Sequence, residues 1–249
     1  MLEIRIQLVG VAAQIQLNHE STQSYCHEYP SGTAPDISIT ITPQDIAYER
    51  VKAAREDELE GLPIRNLSDE QLEITALQRK LTEVLFDYDT LLFHGSVVAV
   101  DGEAYLFTAK SGTGKSTHTR LWREHFGDRA VMVNDDKPFL KLEDDHVTAY
   151  GSPWNGKHRL GCNMSVPLKA ICILERGSEN EITSITAKEA LPMLLQQSQR
   201  PMDHRKLVKY LDMLDRLCER TAFYRLKCNM DPQAAVVAYE AMFGNKKEI

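Results

Sequence analysis

Ala109-Lys110-Ser111-Gly112-Thr113-Gly114-Lys115-Ser116-Thr117 is the stretch on which the reading of this chain turns. It follows the Walker A spacing, except that Ala109 stands where a first glycine is usual, and alanine is the next smallest residue. Gly112 and Gly114 let successive backbone N–H groups turn inward toward phosphate oxygens, and a following helix adds the positive end of its dipole. Lys115 is then placed to bridge the terminal phosphates, and the Ser116 hydroxyl to ligate Mg²⁺. Ser111 to Thr117 thus form the candidate cradle for a nucleotide, with ATP and Mg²⁺ as the expected cofactors. A plain glycine turn can carry Gly-Lys-Ser by chance, so context matters. Here an apolar strand, Tyr105-Leu106-Phe107, precedes the loop and an amphipathic helix over Gly114 to Phe126 follows, as the motif requires.

A site of this kind needs carboxylates, and about 20 residues downstream Val131-Met132-Val133-Asn134-Asp135-Asp136 ends a short apolar strand with two of them. Alone, Asn-Asp-Asp is an ordinary turn. After a Walker A element it reads as Walker B-like, one carboxylate orienting Mg²⁺ or its water and the other accepting a proton from an attacking hydroxyl. Further on, Trp154-Asn155-Gly156-Lys157-His158-Arg159 concentrates positive charge beside a glycine and a tryptophan. Lys157, His158 and Arg159 are therefore candidates for binding the acceptor or the transferring phosphate, with Trp154 as an apolar or stacking surface; the alternative is a solvated basic loop with a packed tryptophan. Arg120, on the helix after the glycine loop, needs no more role than an exposed charge.

The rest of the chain supplies the frame. Apolar residues alternate over 3 to 17 and 37 to 42, so the N-terminal portion, 1 to 66, is expected to be strand-rich. The charged run Glu49 to Glu60, ending at Gly61-Leu62-Pro63, reads as a boundary or exposed connection before a domain over 67 to 249. Ser68 and Gln71 form a capping-box pair ahead of a helix to about Tyr88. Asp101-Gly102 joins strands 96 to 100 and 103 to 108 as a tight hairpin. Another hairpin is expected over Phe139 to Tyr150, and strands over Leu168 to Leu174 and Ala222 to Lys227. Helices are expected over Ala187 to Gln197, Asp203 to Cys218 and Asp231 to Met242.

Composition narrows the function classes. Of the 249 residues 43% are hydrophobic and 26% charged, which suits a globular chain rather than a disordered one. A net charge of −7 argues against a general grip on nucleic acid or on a membrane. The five cysteines are odd in number and contain no Cys-x-x-Cys pair, so neither a disulfide framework nor a zinc knuckle is indicated, and a cytoplasmic setting is expected. The start of the chain alternates polar and apolar residues and is unlike a signal peptide.

His94-Gly95-Ser96, Ala109 to Ser116 and Asn134-Asp135-Asp136 together resemble the catalytic domain of the bacterial HPr serine kinase/phosphorylase family, and more distantly phosphoenolpyruvate carboxykinase, over about 90 to 180. The resemblance implies an α/β fold, a mixed sheet around a P-loop with helices outside, and Mg²⁺-dependent transfer of a phosphoryl group from a nucleotide. It places Lys115 at the phosphates, Ser116 and Asp136 at the metal, and Asp135 as the base, with the opposite assignment of the two aspartates left open. It also nominates His94 as an active-site residue. Gly151 to Gly161 departs from the family's signature after the aspartates, and carboxykinases are much longer chains. The expected activity is that of an ATP-dependent kinase acting on a hydroxyl of a small molecule, peptide or protein, the alternative being a nucleotide-binding regulatory module with little turnover. The acceptor, the base preference and any homo-oligomer are left open by the sequence.

Overall fold

The computed structural model of the protein describes residues 2–244 and divides the chain into two compact units, Met1–Val84 and Leu85–Ile249. Composition changes at 66 and 67, whereas the contacts divide one helix later; the outer limits of the sequence-drawn domains, Met1 and residue 249, lie outside the described residues.

In the first unit β1 (Leu2–Leu8) and β2 (Val11–Leu17) form an antiparallel hairpin, and β3 (Ile37–Thr40) adds to β2 in parallel. Between them lies a short helix, α1 (Glu20–Tyr25). Two long helices follow, α2 (Pro43–Leu59) and α3 (Asp69–Leu85). The charged run expected as an exposed connection is thus most of α2, and the N-terminal portion is not strand-rich throughout. Its start signal is Thr42-Pro43-Gln44-Asp45, a capping box with proline in the first turn. Its charges are held in pairs: Arg79 bonds Glu49 and reaches Asp45 at 3.0 Å, Lys80 meets Asp45 at 2.7 Å, and Arg65 meets the buried Asp57 at 2.8 Å. The Ser68 and Gln71 pair does cap α3, each side chain bonding the other's backbone N–H.

The second unit is a mixed sheet between two layers of helix. Along the chain come β4 (Thr90–Leu92), β5 (Ser96–Val100), β6 (Glu103–Thr108), α4 (Lys115–Phe126), β7 (Ala130–Asn134), β8 (Phe139–Leu142), β9 (Val147–Tyr150) and β10 (Ser165–Arg176). Then follow β11 (Glu181–Ile185), α5 (Ala187–Gln197), α6 (Leu207–Arg220), β12 (Ala222–Cys228) and α7 (Gln233–Gly244). The strand order is β4-β8-β9-β10-β6-β5-β7, with β12 beside β10 and β11 at the edge beyond it. The 12 residues of β10 serve two partnerships: its first residues pair antiparallel with β9, and its remainder pairs in parallel with both β6 and β12. The Asp101-Gly102 hairpin forms as expected, with φ of 52° and 83°.

Successive residues of the central strands point to opposite faces and both faces are apolar, which is why these strands read as continuous hydrophobic runs. Val97, Ala99, Leu106, Ile171 and Ile173 pack on one face with Leu194 of α5 and Tyr210, Met213, Leu214 and Leu217 of α6. Val98, Val100, Tyr105, Phe107, Cys172 and Leu174 pack on the other with Leu121, Trp122 and Phe126 of α4 and Ala234, Ala238 and Met242 of α7. Among the described residues no helix is long and apolar enough to cross a membrane.

Trp122 is fully buried and touches the rings of Tyr105, Phe107, Phe126 and Tyr239. Trp122→Ala should therefore destabilise the second unit by about 3–5 kcal/mol, read as a lowered urea midpoint; a loss below about 1 kcal/mol would mean that this face of the sheet is not a packed core.

Candidate functional site

Sheet topology brings three sequence segments to one edge. Strands β6 and β7 both run antiparallel to the β5 between them, so the ends of β6 and β7 lie beside the start of β5. The glycine loop leaves the end of β6, the aspartates follow β7, and His94 precedes β5. Parallel pairing of β10 with β6, and of β12 with β10, brings Arg176 and Cys228 to the same edge. In open α/β sheets this carboxyl edge is where ligands bind.

The loop is held from both sides. Thr108 and Ala109 are fully buried at the end of β6, while Thr113 turns back through its N–H and Oγ1 to the Lys110 carbonyl, at 3.3 and 2.8 Å. A Cβ added at Gly112 or Gly114 would meet nothing within 4 Å, so space does not call for glycine there. Their φ angles of +75° and +122° do. Helix α4 starts at Lys115 without a side-chain cap, so no capping side chain takes the N–H groups of its first turn. Lys115 Nζ folds back toward the Ala109 carbonyl at 3.4 Å. Burial lowers its pKa, the charge of Asp136 opposes that, and the charge of Lys137 adds to it.

The aspartates are set by Asn134. Its buried carboxamide accepts the N–H groups of Asp136 and Lys137 at 2.9 and 2.7 Å and donates to the Ser152 carbonyl and hydroxyl at 3.2 and 3.1 Å. Adjacent on the turn, the two carboxylates go to different partners. Asp135, 7% exposed, accepts the Gly156 N–H. Asp136, partly exposed, has Oδ1 at 3.3 Å from His94 Nε2. Burial acts to raise the Asp136 pKa, but the His94 hydrogen bond and the charges of Lys137, His94 and Lys115 outweigh it, and the net shift is downward.

The loop after β9 crosses this edge. Its ends meet tightly: a Cβ at Gly151 would lie 1.9 Å from the Cys162 carbonyl, and one at Gly161 would lie 2.0 Å from Asn155 Oδ1. Cys162 N–H also bonds the Val133 carbonyl at 3.2 Å. Trp154 is buried edge-on against Phe139, so its ring belongs to the packing under the loop rather than to a stacking surface.

Lys115, Asp136 and His94 are thus brought together, and Asp135 joins them through the turn. Lys157, His158 and Arg159 are exposed on the loop whose Gly156 touches Asp135. Arg120 pairs with Glu124 at 2.6 Å as an exposed helix charge. Three residues near the loop and the aspartates were not singled out from sequence. Lys137 directly follows the aspartates, and burial lowers its pKa against the pull of Asp136. Arg176 Nη2 donates to the Gly112 carbonyl at 2.5 Å from 64 residues away, a link with no local signal. His118 sits one turn into α4, 2% exposed; its Nε2 accepts the Trp122 indole N–H at 3.0 Å, which leaves the ring proton on Nδ1 without an acceptor among the described residues.

Among the described residues no group of three or more His, Cys, Asp and Glu could hold a metal unaided. Magnesium in nucleotide sites is bound through one or two carboxylates and the substrate's phosphates, so an oxygen donor set of Ser116 and Asp136 fits it.

An α/β unit with a glycine-turned loop at the carboxyl edge of its sheet defines the class, and comparison with known proteins supplies the family. Residues 63–239 match the model of the SynChlorMet cassette protein ScmC family, and the chain belongs to that family. Over 154 residues it is 30% identical to the HPr kinase/phosphorylases of Bacillus cereus strains B4264 and Q1, covering 60% of this chain and 47% of each relative. The chain therefore spans about half the length of the curated relatives it matches. Among solved structures, the HPr(Ser) kinase/phosphatase from Coxiella burnetii aligns with 51% of this chain and 96% of its own, at 15% identity and a TM-score of 0.30.

Burial pushes the His118 pKa down to about 4 from 6.5. As pH falls below 6.5 the unfolded chain takes up a proton that the folded ring refuses, so this group's stabilisation is complete above that value and is lost toward pH 4. Between pH 7 and 5 that loss amounts to about 2 kcal/mol. His118→Gln keeps an acceptor for Trp122 and should lose less stability than wild type over this interval, in urea titrations at the two pH values; equal losses would contradict a neutral buried imidazole.

Proposed function

We propose that the chain is an ATP-dependent, Mg²⁺-assisted phosphotransferase acting on a hydroxyl of a small molecule, peptide or protein, with 67–249 as its kinase-like module and 1–66 as a separate N-terminal portion. The observation that carries this reading is the electrostatic contact of Lys115, at the mouth of an uncapped helix, with an Asp136 carboxylate paired to His94. The similarity to HPr kinase/phosphorylases supports it at the level of reaction class.

In this mechanism the backbone of Ser111 to Thr117 receives the phosphates and Lys115 spreads positive charge over the terminal ones. Ser116 and Asp136 would hold Mg²⁺, which when bound neutralises charge on the phosphates. His94 donates to Asp136 and fixes its orientation. Asp135 lies on the acceptor side, next to the loop bearing Lys157, His158 and Arg159. It takes the proton of the attacking hydroxyl as the oxygen bonds the terminal phosphorus and the nucleoside diphosphate leaves. The exposed basic residues draw in the acceptor.

A nucleotide-binding module with little turnover is the second reading. It is favoured by the near-complete burial of Asp135 under Gly156.

Lys115→Ala should weaken Mg²⁺-ATP binding by about ten-fold or more in calorimetry, and unchanged affinity would remove the phosphate-loop reading. Once an acceptor is in hand, Asp135→Asn should slow transfer by about a hundred- to ten-thousand-fold with nucleotide affinity retained, whereas Asp136→Asn should weaken the Mg²⁺-dependent part of binding. Near-normal transfer by both variants would remove the aspartates from the mechanism, whereas Mg²⁺-ATP binding by wild type without transfer to any acceptor would leave the binding module as the better account.

A further inference from the structure

A cleft of about 430 Å³ opens beside the glycine loop. One wall is the loop and the first turn of α4, including Gly112, Thr117 and His118; the other is formed by the ends of β10 and β12, with Leu174, Cys228 and Met230. Its size falls in the range of small-molecule sites. We propose that this cleft takes the nucleoside of the nucleotide, base and ribose together, and that His118 is a donor to it; the inference rests on the phosphate-loop reading above.

Three observations carry it. First, position: a ligand with its phosphates on Ser111 to Thr117 must continue along a surface touching those residues, and the cleft shares Gly112, Thr113, Gly114 and Thr117 with the loop. Second, chemistry of the far wall: Leu174, Met230 and the Cys228 thiol, held neutral by burial, offer apolar and polarizable surface to the faces of a base. Arg176, also in the lining, ties that wall to the loop through the Gly112 carbonyl and presents a flat guanidinium suited to stacking. Third, the unmatched donor: the Nδ1 proton of His118 finds no acceptor among the described residues, although the ring lines the cleft and is almost wholly buried. Helical side chains lean toward the helix N-terminus, here the loop, and a nucleotide bound there brings oxygens and ring nitrogens that can accept this proton.

The test separates nucleoside from phosphate. Calorimetry with Mg²⁺-ATP and with Mg²⁺ and inorganic tripolyphosphate is run on wild type and Cys228→Phe, whose added ring fills the cleft. Wild type should bind ATP at least about ten-fold more tightly than tripolyphosphate, and the variant should lose that margin while its tripolyphosphate affinity stays within about two-fold. Independently of whether the variant folds, photolabelling of wild type with 8-azido-ATP should attach to the peptides holding Leu174 to Gly177 or Cys228 to Met230 and be suppressed by ATP. Equal wild-type affinities for the two ligands, an unchanged ATP margin in Cys228→Phe, or labelling elsewhere would overturn the nucleoside cleft while leaving the phosphate loop standing. Binding of neither ligand by wild type would instead remove the nucleotide reading, and this inference with it.

Discussion

The arrangement of the candidate site depends on one buried carboxamide. Asn134 receives two backbone N–H groups of the aspartate turn and donates to Ser152, whose hydroxyl in turn donates to the Lys137 carbonyl at 2.6 Å. The turn carrying Asp135 and Asp136 and the start of the loop over residues 151–164 are thereby closed into one hydrogen-bonded ring. Buried polar groups of this kind are costly when partly satisfied, since each orphaned donor or acceptor costs about 1–3 kcal/mol. Asn134 can thus send two neighbouring carboxylates to different partners, Asp135 to the Gly156 N–H and Asp136 to His94. That separation is what permits two acidic residues in sequence to have two roles.

Around this ring the sheet supplies convergence. Because β6 and β7 are both antiparallel to β5, a loop, a turn and a histidine that are distant in sequence meet at one edge, where Thr108 Oγ1 donates to the His94 carbonyl and Ser96 Oγ to the Asp135 carbonyl, both at 3.0 Å. The two-faced apolar packing keeps the strands in register, since a slip of one residue would exchange Val98 for Val97 and turn one core inside out. The helix that presents Lys115 is anchored from beneath by Trp122, which also holds His118 in a single tautomer. Core packing and site chemistry meet on α4.

Much of this was legible in the sequence. The family resemblance implied a mixed sheet with helices outside, Asp101-Gly102 announced its hairpin, and the strand, glycine loop and amphipathic helix came in the order seen. The charged stretch of α2 was not legible as helix from apolar periodicity, because its stability rests on end capping and on ion pairs to Arg79, Lys80 and Arg65, distant in sequence. Nor was the dual pairing of β10, which no local pattern encodes. Within the candidate site the glycine loop and the aspartates were picked out by spacing and His94 by resemblance. The supporting residues, Lys137, Arg176 and His118, were not, since their significance comes from burial and from partners brought in by the fold. Trp154 in its basic loop could be read as a stacking surface or as a packed ring, and the fold decides for packing, against Phe139.

The most direct test is a crystal structure of the full chain with Mg²⁺ and a non-hydrolysable ATP analogue. The triphosphate should lie on the backbone of Ser111 to Thr117, with its terminal phosphate beside Lys115 and on the side of the His94 and Asp136 pair. A triphosphate bound elsewhere, or one in the loop with its terminal phosphate turned away from Asp136, would contradict the proposed function.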